Sequence, residues 1–383
     1  MNKLVVSAVV GTVLSIGVAT RASATVYWGG KTGGNLNDVA NWYDGDTKES
    51  RFPGAGEGKS DEAAYVTVSP TADLTLSDDF AIGSKYLYFG SEKYQDVDVS
   101  LSLGNHALTV PYARCRLRYG ARLTVKSGTL VNMPQHDEGA VSSLVLDGGT
   151  CMSTNNLTLT SKYPCVEIKN GGLLTCAPGF YICTDTTANP IVVGAGGTMK
   201  SADGQHLYLD GKVENLGGTI ACTGDGRYTY VGYKQADAKL VVSNGVVSST
   251  RIKIGNETDT QHPDAVNATL AITGSQSRIV GTDRIDLSPT ATMTIDLDAK
   301  PEEALVKAGF FTFNAGSKIK ITSSNKLADV LPFETAVLAA TAQDIDWTKV
   351  TVEVAEDCDL KVVKEARQLV VRHGSKGLTV LVY

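Results

Sequence analysis

Hydrophobic and polar residues alternate in short runs that return along most of the chain. One kind of run, at residues 240–245, reads Leu-Val-Val-Ser-Asn-Gly, and a second kind, at residues 252–255, reads Ile-Lys-Ile-Gly. Alternation with a period of two predicts β-strands, and Gly or Asn between the runs is typical of turns. Copies of the first kind recur at spacings of 21 to 30 residues and begin at Leu123, Leu144, Val166, Ile191, Val213, Leu240 and Leu270, with a late copy at Phe311.

This repeat predicts an all-β fold, a parallel β-solenoid in which each strand pairs with its equivalent one coil away. Alternate side chains then point inward and stack into a dry core, while Gly serves at corners that need a positive φ. A sandwich of meandering strands is the alternative, because short strands with turn signals fit it as well. Two interleaved kinds of run favour the coil.

Three segments carry a resemblance to a known class of proteins: residues 230–232 (Tyr-Val-Gly), 240–245 and 252–255. Their alternation resembles secreted bacterial right-handed β-helix proteins of the pectin-lyase-like and autotransporter-passenger type. An N-terminal series is similar to the entry segment of such chains: Trp28-Gly-Gly, Asn41-Trp42, Pro53-Gly54 and Asp61-Glu-Ala63. The resemblance covers about residues 25–325 and implies a single-stranded, right-handed parallel β-helix. No C-terminal series of strands suits a translocator barrel, so self-transport is not expected.

The two ends of the chain complete the expected organisation. Lys3, an apolar run over residues 4–19 and the motif Ala22-Ser-Ala24 predict a signal peptide over residues 1–24, with a membrane anchor as the alternative. Residues 25–64 are predicted to form an N-terminal cap, 65–325 the β-helix, and 326–383 a C-terminal β cap or small β domain. The mature protein is expected to be secreted, extracellular or on the cell surface, or periplasmic, without a membrane span.

Composition and charge exclude several function classes. The chain of 383 residues is 42% hydrophobic and 20% charged, which excludes a disordered protein. A formal net charge of −6 argues against a nucleic-acid partner. The spacing of Cys and His residues fits no zinc module, and no cofactor or metal is expected. Export permits disulfides among the seven cysteines, but Cys176 and Cys222 share one phase, with Ser201 in the coil between them. We therefore expect these two cysteines to be about 10 Å apart and unbonded.

The phase of the repeat also predicts a candidate binding surface. Taking the last strand residue before each corner as inward assigns the core to Phe89, Tyr119, Leu159, Ile182, Leu209, Val231, Ile254 and Leu287. Residues one and three places earlier then point outward and form two adjacent columns rich in Tyr and Arg. These columns suit either a groove for a glycan or partner, or a stabilising ladder of aromatic neighbours. The candidate ligand-binding residues are Tyr86, Tyr88, Arg116, Arg118, Tyr181, His206, Tyr208, Tyr228, Tyr230, Arg251 and Lys253.

The sequence favours an exported, non-catalytic β-helix protein of the cell surface or extracellular matrix, with a role in adhesion, glycan contact or structure. Its expected partner is a polysaccharide or another cell-surface component. The alternative is a polysaccharide lyase or glycoside hydrolase on the same scaffold, which would need paired acids. Asp96 with Asp98, or Asp210 with Asp225 and Arg227, are candidates for that pair, although exposed Asp residues of this kind are usually only solvated.

Overall fold

A computed structural model shows the chain as a β-solenoid of about ten turns, built from parallel coils that stack on one another. It describes residues 25–374 except 31–33, 56–61, 68, 71, 185–188, 234–236, 257–266, 324–326, 328–331, 357 and 359. Among these residues there is no α-helix, and short 3₁₀ turns occur at Val39–Asn41 and Trp347–Lys349. The predicted solenoid is confirmed, and the alternative of meandering strands is wrong. The predicted signal peptide lies outside the described residues.

The strands of the described part of the chain are short and follow one another closely. They are β1 (Thr25–Trp28), β2 (Trp42–Asp44), β3 (Ala63–Val66), β4 (Leu74–Thr75), β5 (Phe80–Ala81), β6 (Tyr86–Phe89), β7 (Asp98–Thr109), β8 (Cys115–Leu117), β9 (Arg122–Val131), β10 (Gln135–His136), β11 (Ser143–Asp147), β12 (Thr150–Ser153), β13 (Leu157–Leu159), β14 (Cys165–Lys169), β15 (Leu173–Cys176), β16 (Ile182–Thr184), β17 (Ile191–Gly194), β18 (Thr198–Lys200), β19 (Leu207–Leu209), β20 (Lys212–Leu216), β21 (Thr219–Cys222), β22 (Tyr228–Val231), β23 (Ala238–Ser243), β24 (Val246–Ile254), β25 (Ala268–Thr273), β26 (Arg278–Leu287), β27 (Ala291–Asp296), β28 (Val306–Phe313), β29 (Ser317–Thr322), β30 (Phe333–Ala340), β31 (Val350–Val354), β32 (Leu360–Lys364) and β33 (Gln368–His373).

Each coil contributes three strands, which we call its first, second and third strand. First strands such as β14, β17 and β20 pair only with first strands of neighbouring coils, and second strands such as β15, β18 and β21 do the same. Third strands are β13, β16, β19 and β22, followed by the second halves of β24, β26 and β28. In the N-terminal coils the third strands are β1, β3, β6, β8 and β10.

The core is a stack of inward side chains that repeats the register of these pairings. Leu209 pairs with Val231, and Ile254 pairs with Leu287, and all four side chains are 0% exposed. Each such aliphatic side chain stabilises the fold by roughly 1.5–3 kcal/mol. Gly232 and Gly255 form the corners after two of these third strands. Their φ values of 77° and 73° lie in a region that other residues rarely adopt, which explains why glycine occurs there.

One inward assignment made from the sequence is wrong. Phe89, Leu159, Ile182 and the four residues just described are buried as predicted, whereas Tyr119 is half-exposed. Strand β8 ends at Leu117, and Tyr119 lies in the following turn with a φ of 51°. Its hydroxyl donates a hydrogen bond to Glu138, so the ring belongs to the surface.

A column of small polar side chains lines the corner between second and third strands. The registers of β12, β15, β18, β21 and β24 place its members one coil apart, and all are buried: Ser153, Cys176, Ser201, Cys222 and Ser249. Each hydroxyl or thiol lies within hydrogen-bonding distance of a backbone carbonyl just ahead of, or at the start of, the third strand. The predicted register of Cys176, Ser201 and Cys222 is confirmed, and all seven cysteines are free thiols.

Antiparallel strands cover both ends of the stack. At the N-terminal end β2 pairs antiparallel with β1, and Trp42 is fully buried there. Asp44 accepts hydrogen bonds from the backbone of Thr47 and from the side chain of Arg51, and these bonds lower the pKa of the Asp44 carboxyl to about 2. At the C-terminal end β33 pairs antiparallel with both β30 and β32.

Candidate functional site

The outward side chains of the third strands form a surface that we call the third-strand face. On it, Tyr208 pairs with Tyr230, and the same column continues through Lys253 and Asp286. In the column beside it, Tyr228 pairs with Arg251, which pairs with Arg284. The parallel register therefore brings the Tyr and Arg residues predicted from the sequence into neighbouring columns.

Six aromatic side chains meet on this face and make up the central tyrosine cluster: Tyr181, His206, Tyr208, Tyr228, Tyr230 and Tyr233. The rings of Tyr208 and Tyr230 are nearly parallel, with centroids 5.2 Å apart and an interplanar angle of 4°. Tyr228 stacks on Tyr230 at 5.0 Å, and Tyr233 tilts against Tyr230 at 4.8 Å. All six residues are half-buried, so part of each remains accessible to a ligand.

The position of Tyr181 differs from the one predicted. The sequence suggested that Tyr181 shares the column of Tyr208, but Cys183 occupies that place by pairing with Tyr208. Tyr181 lies at the end of the neighbouring column that contains His206, and its ring meets Tyr208 edge-on at 5.4 Å. It remains part of the cluster through this contact.

Cations and carboxylates surround the C-terminal side of the cluster. The guanidinium groups of Arg251 and Arg284 each lie 5.5 Å from the centre of the Tyr228 ring, and Arg284 donates a hydrogen bond to the Tyr228 hydroxyl. Arg251 forms an ion pair with Asp283 at 2.6 Å, and Arg284 forms one with Asp286 at 3.1 Å. Cation–π contacts and ion pairs of this kind hold the guanidinium groups in fixed positions.

A depression of about 220 Å³ opens beside these groups. It is lined by Tyr228, Tyr230, Lys253, Arg284, Asp286, Thr312 and Asn314. Phenol, ammonium, guanidinium and amide groups all converge on it and offer hydrogen-bond donors to a polar ligand.

Three members of the cluster, His206, Tyr208 and Tyr230, have shifted pKa values that keep them neutral near pH 7. Burial, followed by the neighbouring tyrosines and other acidic groups, raises the pKa of Tyr208 to about 12 and raises the pKa of Tyr230 as well. Burial and the charge of Arg227 lower the pKa of His206, whose Nδ1 accepts a hydrogen bond from the Tyr228 backbone N–H at 3.0 Å. These phenols and this imidazole therefore act as hydrogen-bonding groups, not as charges.

A second group of aromatic residues occupies the N-terminal third strands, and we call it the N-terminal tyrosine stack. It consists of Tyr27, Tyr43, Tyr65, Tyr86 and Tyr88. Adjacent members of the series Tyr43, Tyr27, Tyr65 and Tyr88 stack with centroids 4.8–5.7 Å apart. The sequence had identified Tyr86 and Tyr88 only. The alternation in residues 25–28 and 63–66 was the available signal for Tyr27 and Tyr65, since it matches that of β6, whereas Tyr43 joins the stack from the antiparallel strand β2.

The arginines predicted near Tyr88 lie there, in a different register. Tyr88 pairs with Arg116 instead of Arg118, whose guanidinium lies 4.1 Å from the centre of the Tyr88 ring. Arg118 forms an ion pair with Asp137 at 2.6 Å, and Arg116 donates a hydrogen bond to Gln135. A depression of about 340 Å³ follows the stack, lined by Arg116, Gln135, His136, Asp137, Ser161 and Lys162.

The acids suggested for the hydrolase alternative are not brought together as a pair, although Asp210 alone lies beside the central tyrosine cluster. Asp96 lies in the turn before β7, and Asp98 begins the first-strand half of β7, away from the third strands. Asp210 is 2% exposed, follows β19 and accepts a hydrogen bond from the Tyr233 backbone N–H. Asp225, by contrast, lies in the turn that precedes β22, the strand paired with β19, so these two acids lie at opposite edges of the third-strand face.

In the described part of the chain, no three His, Cys, Asp or Glu side chains are placed to hold a metal ion, and no helix has the length and apolar character to cross a membrane. Comparison with protein-family models, with curated proteins and with solved structures finds no match.

Proposed function

We propose that the protein is exported to the cell surface or extracellular matrix, where its third-strand face binds an extended polysaccharide without cleaving it. The observation that carries this proposal is the central tyrosine cluster, in which six half-buried aromatic side chains lie side by side next to a donor-rich depression. A relationship to pectin-lyase-like or autotransporter-passenger β-helices belongs to the same proposal and is supported by the alternation of the repeat.

The geometry of the rings favours contact through edges and hydroxyls. Because Tyr208 and Tyr230 stack on each other, a ligand that follows the coil axis meets their edges instead of their faces. The edge of an aromatic ring is the positive part of its quadrupole, and the phenol adds a donor. Oxygen-rich sugars suit such a surface.

The charges on this face favour an acidic polymer, although the chain as a whole has a net charge of −6. Cationic side chains line both aromatic groups: Arg114, Arg116, Arg118, Lys162, Arg251, Lys253 and Arg284. Several of them already pair with Asp137, Asp283 or Asp286, which fixes their geometry and leaves further donors of each guanidinium for a ligand carboxylate.

Affinity electrophoresis of the purified mature protein tests the proposal, with alginate as the acidic polysaccharide and dextran as the neutral one. We expect alginate to retard the protein. Tyr208→Ala and Tyr230→Ala should weaken retardation severalfold, which corresponds to about 1 kcal/mol per lost interaction. The phenylalanine variants should fall between these and the wild type, because they keep the stacked ring and lose only the donor.

Tyr112→Ala is the matched control, since Tyr112 is 46% exposed and lies between β7 and β8, outside both aromatic groups. It should bind like the wild type. The proposal is overturned if neither polysaccharide retards the protein, or if the Tyr208 and Tyr230 variants lose thermal stability while binding is unchanged. Release of shorter products from alginate would replace simple binding with an enzymatic function.

A further inference from the structure

The N-terminal tyrosine stack repeats the chemistry of the central tyrosine cluster. Four tyrosine rings stack in series, and the guanidinium of Arg118 covers the last of them. As at the central cluster, a depression lined by cations and amides lies on the C-terminal side of the aromatic residues. Two surfaces of one molecule thus present the same types of groups in the same order along the chain.

The two surfaces lie on the same side of the coils, in two runs of third strands that end at β10 and begin again at β13 without pairing between these two described strands. Tyr88 is followed coil by coil by Arg116 and Gln135, and Thr158 and Cys183 lead in the same way to Tyr208. The first and second strands of these coils are also consecutive, because β9 pairs with β11 and β12. Five coil steps of about 4.8 Å separate Tyr88 from Tyr208, a distance of about 24 Å.

The outward strand residues between the two surfaces are small or flexible. Gln135, Thr158 and Cys183 point outward from their strands and are half-buried, and none of them carries a large ring. Where the two runs meet, the His136 backbone N–H donates to the Lys162 carbonyl, and Gln135 and Lys162 both line the depression there. A ligand that is held on the Tyr88 side would cross this depression to reach Tyr208.

We propose that the N-terminal tyrosine stack is a second binding site, and that a single acidic polysaccharide chain occupies it together with the central tyrosine cluster. This inference rests on the proposed function. Binding at one site converts binding at the other into an intramolecular event, which raises affinity by roughly 10²–10⁴-fold when the chain is long enough to reach both. Shorter oligomers bind each site separately and gain nothing from the second.

Titration calorimetry with size-fractionated alginate oligomers tests this arrangement. Oligomers much shorter than about 24 Å should bind weakly, with two per protein molecule. Oligomers well beyond that length should bind at one per molecule and at least tenfold more tightly. Tyr88→Ala should weaken short-oligomer binding at one of the two sites severalfold and lower the affinity for long oligomers by the same factor, and Tyr230→Ala should do so at the other site.

Arg116→Gln provides a second N-terminal variant that keeps the tyrosine stack, in case Tyr88→Ala folds poorly, and Tyr112→Ala is again the control. If Tyr230→Ala weakens binding while Tyr88→Ala and Arg116→Gln change nothing, the second site is wrong and the proposed function stands. Equal affinities for long and short oligomers would also overturn the shared occupancy. If no oligomer binds at all, the proposed function falls together with this inference.

Discussion

The corner column of Ser and Cys residues offers a sharp test of the register, and Ser249 is its most informative member. The Ser249 hydroxyl donates to the Arg251 carbonyl at 2.7 Å, and the side chain is 2% exposed. Ser249→Ala removes this bond at a site that water does not reach. A net contribution of about 1 kcal/mol is usual for such a bond, and the cost rises to roughly 1–3 kcal/mol when the partner stays buried and unsatisfied. We expect a destabilisation of about 1–2 kcal/mol.

Two further variants separate the hydrogen bond from side-chain volume. Ser249→Cys should lose less stability than Ser249→Ala, because thiols already occupy this place at Cys176 and Cys222, with sulfur–carbonyl distances of 3.5 and 3.4 Å. Ser248→Ala, on the outward neighbour in β24, should be close to neutral.

Urea unfolding followed by circular dichroism measures these effects as shifts of the midpoint at constant slope. Adjacent coils contact only their neighbours, so the effect of one corner should be local and additive with distant changes. A stabilising role of the Ser249 hydrogen bond is refuted if Ser249→Ala and Ser248→Ala shift the midpoint equally, or if Ser249→Cys destabilises as much as Ser249→Ala.

Three other predictions concern the core, the thiols and the N-terminal end. Leu209→Asp should destabilise by roughly 4 kcal/mol or more, because it buries an unpaired charge, whereas Thr158→Asp should be nearly neutral; equal thermal shifts would contradict the inward assignment. Peptide mapping without reductant should find no Cys176–Cys222 cross-link, since the two lie two coils apart, and its detection would refute the register. Backbone N–H groups and a guanidinium lower the pKa of Asp44 from 3.8 to about 2, so the stability it contributes above pH 3.8 is lost as pH falls through about 2. In thermal melts recorded at several pH values, Asp44→Asn should reduce the fall in melting temperature between about pH 4 and pH 2. An unchanged fall would argue against a stabilising role of the Asp44 carboxylate.

The fold was predictable from sequence because a solenoid repeats one local pattern many times. Alternation identifies which side chains are inward, and Leu209, Val231, Ile254 and Leu287 all lie where it predicts. Each repeat reinforces the same interpretation, so a single irregular coil does not hide it.

Register within individual coils was harder to predict, because the corners differ in length. Ile182 was aligned with Leu159, but the residue that pairs with Leu159 is Thr184. Thr184 is fully buried despite its hydroxyl, so a search for a hydrophobic inward residue selects Ile182 instead. The resulting shift of two residues places Tyr181 in the wrong outward column. Tyr119 was misassigned for a related reason. The position of Gly120 suggests that the strand continues to Tyr119, but Tyr119 already has a turn conformation and the strand ends at Leu117.

The distribution of tyrosine bears on whether the third-strand face is a ladder or a binding surface. First strands hold together with outward columns such as Thr269, Thr292 and Lys318, and second strands with columns such as Thr198 and Thr219. The described first and second strands therefore stack without outward aromatic rings on two of the three faces of the coils. Tyrosine instead concentrates on the third, in two groups that each end at a depression lined by cations. A requirement for coil stability would apply to all three faces alike, whereas a requirement for a ligand applies to one, and the one-sided placement favours the ligand.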